Sequence, residues 1–95
     1  QKYKKLMELE IQQAFFSMSE AYRRCDMTTS ALEQAETAKE MSRDFYELGM
    51  ETLTDYLEAQ ARRQQAQAEH IAAKADFKIH ETNYLKATGV LGADI

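Results

Sequence analysis

From residue 11 onward, small and apolar side chains recur at alternating steps of three and four: Ile11, Ala14, Met18, Ala21, Cys25, Thr28, Leu32 and Ala35. This spacing holds one stripe on one side of a helix and is the seam of a coiled coil. A second seam, offset around the same helix, runs through Ala31, Gln34, Ala38, Met41, Phe45 and Leu48. One helix is thus asked to pack on two sides. The pattern breaks at Leu48-Gly49-Met50-Glu51-Thr52, where Gly49 suits the left-handed conformation that closes a helix at its C′ position. Thr52 and Asp55 then have the spacing of a capping box, in which a hydroxyl and a carboxylate satisfy free N–H groups at a helix start.

These signals predict a single all-α hairpin over residues 1–95, with a first helix at about 2–48, a turn at about 49–52, a second helix at about 53–88 ended by Gly89, and a short tail at 89–95. At about 1.5 Å per residue the helices would be roughly 70 Å and 55 Å long. So short a connection makes them antiparallel. The second helix also carries two seams. One runs Leu57, Ala61, Gln64, Ala68, Ile71, Ala75, Lys78, Thr82, Leu85, and the other Tyr56, Ala59, Arg63, Ala66, His70, Ala73, Phe77, His80, Tyr84, Ala87. In a lone hairpin one seam of each helix would stay in water, whereas a ring of helices, each touching two neighbours, would use both. A four-helix bundle or a long structural coiled coil accounts for the periodicity almost as well. Either way partners are expected, because two helices side by side bury far less apolar surface than a globular domain of this length.

Composition agrees with helix: there is no proline, there are three glycines, and Ala, Glu, Gln, Lys, Arg and Leu are in surplus. The chain opens at Gln1, with no apolar leader and no run of about 18 apolar residues that would cross a bilayer, and reads as an excised piece. Cys25, the single cysteine, excludes an internal disulfide and reads as a small core residue. Of the net charge of −4, the stretch 44–58 holds Asp44, Glu47, Glu51, Asp55 and Glu58 with no Lys or Arg, so the remainder is slightly basic. No basic stripe is present for nucleic acid, and no basic amphipathic face for an anionic membrane. Catalysis has no persuasive constellation. His70 and His80 stand too far apart along a helix to share a metal, and a hairpin without a concave apolar pocket does not tune carboxylates for acid and base work. No cofactor or metal is expected. The doublets Arg23-Arg24 and Arg62-Arg63 read as solvated or paired with acids one turn away.

The stretch from Tyr46 to Gln60, Tyr-Glu-Leu-Gly-Met-Glu-Thr-Leu-Thr-Asp-Tyr-Leu-Glu-Ala-Gln, resembles the inter-helix turn of the TolC-like outer-membrane efflux protein family. The run Ala31-Leu32-Glu33-Gln34-Ala35-Glu36 and the exit Asn83-Tyr84-Leu85-Lys86-Ala87-Thr88-Gly89 are similar to that family too, so the resemblance covers nearly the whole chain. It implies a homotrimeric duct with a β-barrel in the Gram-negative outer membrane and a long helical barrel across the periplasm. This chain would be one periplasmic hairpin, of the second repeat, and would touch the membrane only through a β-barrel that lies elsewhere in the parent. The implied partners are a periplasmic adaptor protein and, through it, an inner-membrane pump. Cut free, the hairpin would self-associate through its unused seams.

The resemblance also implies roles for particular residues. Leu48, Gly49 and Met50 would form the apex that docks the adaptor, since exposed apolar groups beside free backbone suit burial on contact; an ordinary helix stop packed on its own hairpin is the plainer alternative. Asp55 and Glu58 would point into the lumen and form cation-favouring rings, although Asp55 also suits a capping role. Tyr46 would latch the closed tip to a neighbouring hairpin, or serve as a packing aromatic. In the best-known member of that family a basic residue two positions past the turn glycine helps lock the closed state; Glu51 stands there instead, so the latch would either be lost or run through other residues such as Arg43. The rival from another class is a structural coiled-coil module with no transport role.

Overall fold

A computed structural model describes the backbone of residues 2–93 and the side chains of 3–89. Helix α1 spans Lys2–Glu47 and helix α2 spans Leu53–Ala93, with no strand among the described residues. The fold is an all-α helical hairpin.

Gly49 ends α1. At φ +76° it is the one left-handed residue among those described. Its N–H donates to the Tyr46 carbonyl at 3.0 Å and the Met50 N–H donates to the Phe45 carbonyl at 2.8 Å, the paired bonds of a Schellman motif. The capping box then starts α2: the Asp55 N–H donates to Thr52 Oγ1 and the Thr52 N–H to Asp55 Oδ2, each at 3.2 Å. At the far end the structure corrects the expected stop at Gly89, because α2 continues through it to Ala93. Gly89 does not adopt a left-handed conformation, and an interior glycine costs a helix only about 1 kcal/mol. The expected tail is thus helical over 90–93, and its last two residues lie outside the described ones.

The helices pair in two compact units, one drawing on residues 1–25 and 73–95, the other on 26–72. In the first, Phe15 meets Tyr84 with ring centroids 5.7 Å apart and Tyr22 meets Phe77 at 5.6 Å, an antiparallel pairing. Ala21 lies between the helices with no exposed surface, the one fully buried apolar side chain among the described residues. Asp76 takes Arg24 Nη1 at 3.5 Å on one oxygen and His80 Nε2 at 3.5 Å on the other. An open groove beside these rings, lined by Ile11, Phe15, Phe16 and Tyr84, contains no carboxylate.

In the second unit Thr28 Oγ1 and His70 Nδ1 share a hydrogen bond at 3.0 Å, Arg63 Nε donates to Glu36 Oε2 at 2.6 Å, and Tyr46 stacks on Tyr56. Arg24 and Arg63 therefore bind acids on the opposite helix, not acids one turn away on their own. Only Arg23 follows the expected local pairing, with Glu20 three residues before it.

Each helix uses one seam inside the hairpin. In α1 the positions from Ile11 to Ala35 are buried or half-buried, and in α2 every position from Tyr56 to Ala87 on its seam is half-buried. The other α2 seam, Leu57 to Leu85, is exposed throughout, and the second α1 seam is exposed at every position except Phe45. Leu57, Ile71 and Leu85 are 51 %, 59 % and 61 % exposed. Each forgoes roughly 1 kcal/mol or more that burial would return.

Candidate functional site

The chemistry-bearing residues gather around the turn of the second unit. Leu48 and Met50 flank Gly49 and are 71 % and 70 % exposed, so they do not pack on their own hairpin. Both stand on a backbone whose N–H groups are all bonded. Leu48 N–H donates to the Asp44 carbonyl, and Glu51 N–H, at 3.3 Å, shares the Phe45 carbonyl with Met50. The apex therefore presents two large apolar side chains from a held turn.

An acidic face descends from it. Asp55, Glu58 and Arg62, brought to one side of α2 by steps of three and four, line one groove with Glu51 of the turn and with Ala38, Ser42 and Ala59. Asp55 is tied into the capping box by one oxygen, and Glu58 is exposed and makes no ion pair among the described residues. Glu51 accepts a hydrogen bond from the hydroxyl of Ser42, which is only 7 % exposed. The Glu51 carboxylate is thus engaged by its own hairpin. Arg43, the suggested substitute, lies 3.8 Å from the adjacent Asp44.

Tyr46 and Tyr56 stack across the turn with centroids 5.9 Å apart and planes 9° from parallel. The Tyr56 hydroxyl accepts from Gln60 Nε2 at 2.8 Å, while the Tyr46 hydroxyl makes no hydrogen bond among the described residues. Its ring is thus a packing aromatic and its hydroxyl is open to a neighbour. Sequence reasoning missed Ser42. The signal was there: the first seam, carried past Ala35 by the same steps, reaches Lys39, Ser42 and Tyr46.

Farther along, Glu36 is gripped by Arg63 at 2.6 Å and by Lys39 at 3.5 Å, and Arg63 also reaches Gln67 Oε1 at 2.9 Å. The Arg63 hydrogen bond, helped by the charges of Arg63 and Lys39 and opposed by desolvation, holds the Glu36 carboxyl below its ordinary range. A depressed folded pKa contributes stability above the unfolded value and loses it as pH falls through the folded one. The thermal midpoint of the native chain is expected to drop on acidification by more than that of Glu36→Gln, the difference appearing only below neutral pH. Parallel midpoint curves for the two proteins would show the pair to be energetically silent. Among the described residues no cluster of His, Cys, Asp and Glu is placed to hold a metal ion, and no helix is long and apolar enough to cross a membrane.

The model of the outer membrane efflux protein family matches residues 8–90, from the first seam through the turn to the exit of α2. The chain belongs to the outer membrane efflux protein family. No curated protein and no solved structure matches it. The efflux family is one of transport channels and not of enzymes, and its members belong to the outer membrane. The turn, the acidic face and the two unused seams are therefore features of an efflux-protein hairpin.

Proposed function

We propose that this hairpin is a wall segment of a periplasmic duct in a homotrimeric outer-membrane efflux or type I secretion channel. The observation that carries the reading is the unused seam on each helix: a hairpin that meets only itself has no need of a second heptad stripe, while a ring member needs one for each neighbour. Leu48, Gly49 and Met50 form the tip that docks a periplasmic adaptor and, through it, an inner-membrane pump. Their exposure on a bonded turn supports that role, since apolar side chains held ready for contact lose little further freedom on binding. Tyr46 offers its free hydroxyl to the adjoining hairpin as a latch, and Glu51 serves its own hairpin. Removed from its neighbours, the hairpin self-associates, first as two hairpins in a four-helix bundle, which sedimentation at high micromolar concentration reads directly.

Asp55 and Glu58 face the lumen in this reading, and three-fold repetition makes of them a ring of carboxylates that concentrates cations in the neck. Asp55→Asn with Glu58→Gln, in the full-length channel in a planar bilayer, is expected to lower cation-over-anion selectivity and weaken block by multivalent cations. Ionic strength must stay low, because screening acts within about 10 Å at 0.1 M. The matched control is Glu33→Gln with Glu40→Gln, two exposed acids up the wall; Glu36 is unsuited because it is bonded to Arg63. Equal effects from both pairs, or none from the tip pair, would reduce Asp55 and Glu58 to helix-start and surface acids.

A further inference from the structure

Five consecutive backbone N–H groups, Leu48 to Thr52, all find acceptors: carbonyls of α1 for the first four and the Asp55 carboxylate for the fifth. The weakest is that of Glu51, at 3.3 Å on a carbonyl it shares with Met50. Here the side chains add a second tie, from the Ser42 hydroxyl to the Glu51 carboxylate. Ser42 is the one buried polar side chain among the described residues, on a seam where alanine is common and is the better helix former. A hydroxyl removed from water is costly unless bonded, and a bond to a charged acceptor is among the stronger kinds. Seam packing gives no reason for serine at this position; the bond to Glu51 does.

We propose that Ser42 is a positioning residue: acting through Glu51, it braces the exit of the turn and holds Leu48 and Met50 in a single display. Its consequence for export rests on the docking role proposed above, whereas the brace itself does not. Amide hydrogen exchange of this chain reads the brace at Glu51 and Thr52. Ser42→Ala is expected to speed exchange there by about tenfold, the scale of a lost charge-assisted bond, with the thermal midpoint unchanged or raised because alanine favours helix. A purely structural serine would give no local acceleration. Glu51→Ala should match Ser42→Ala, the double variant should be no faster than either, and Glu51→Gln, which keeps a carbonyl acceptor, should stay near the native rate. Unchanged exchange in Ser42→Ala, or additive acceleration in the double variant, overturns the brace. Glu51 sits at a half-exposed position, so its two variants decide the question even if Ser42→Ala perturbs the seam. Separately, Leu48→Ser with Met50→Ser in the full-length channel tests docking. Normal export there, beside accelerated exchange in Ser42→Ala, removes the docking role and leaves the brace standing.

Discussion

Gly49→Val in the full-length channel is expected to impair export while the protein still reaches the outer membrane in normal amount. The residue sits at φ +76°, where a β-branched side chain costs of order 1–2 kcal/mol. No neighbouring atom lies within 4 Å of the added Cβ, so the penalty is one of backbone conformation and not of crowding. Relief by a change of φ would break the Gly49–Tyr46 and Met50–Phe45 bonds that close α1. The rest of the hairpin is held by seam contacts that this change does not touch, so the defect stays local and the fold survives. Leu48 and Met50 lose their native display at the apex, and the proposed docking with it. Gly49→Asn is the control, because asparagine tolerates the left-handed region; it is expected to retain export. Normal export by the valine variant at normal expression would contradict the docking role and leave the hairpin itself intact.

The turn was legible because its determinants are local. A glycine at C′ and a Thr-x-x-Asp start are decided within a few residues, and both formed with the bonds their spacing implies. The seams were legible because a heptad stripe is periodic. Which of two stripes a helix would turn to its partner was not, since both share one period. The choice follows from matches between the helices: Phe15 meets Tyr84, Tyr22 meets Phe77 and Tyr46 meets Tyr56, and the α2 partner in each pair lies on the used α2 seam. For the same reason Arg63, a seam position read as solvated or paired one turn away, shows its partner only when Glu36, on the other helix, comes opposite it. At Gly89 a local stop signal was overridden because α2 runs on through the same helical conformation. Glu51 was recognised as a departure from the family pattern, but its partner Ser42 lies nine residues back across the turn, a separation that no helical spacing predicts.

The most direct test of the duct-wall account is thiol labelling of the assembled full-length channel, with Cys25 replaced by Ser and single cysteines introduced at Leu57, Ile71 or Leu85. In the hairpin by itself these positions are 51 %, 59 % and 61 % exposed, so nothing within it shields them from a water-soluble maleimide. If the second seam of α2 packs on a neighbouring helix, all three are expected to label at least about tenfold more slowly than a cysteine at Glu69. Glu69 is exposed and continues the face of Asp55 and Glu58 by the same three-and-four steps, the face that in the proposed duct meets the water of the lumen. Unfolding the channel should restore equal labelling at all four positions. Slow labelling at Leu57, Ile71 and Leu85 beside fast labelling at Glu69 is the predicted result; labelling of the three seam positions as fast as Glu69 would mean that no neighbour covers the seam, and would contradict the account.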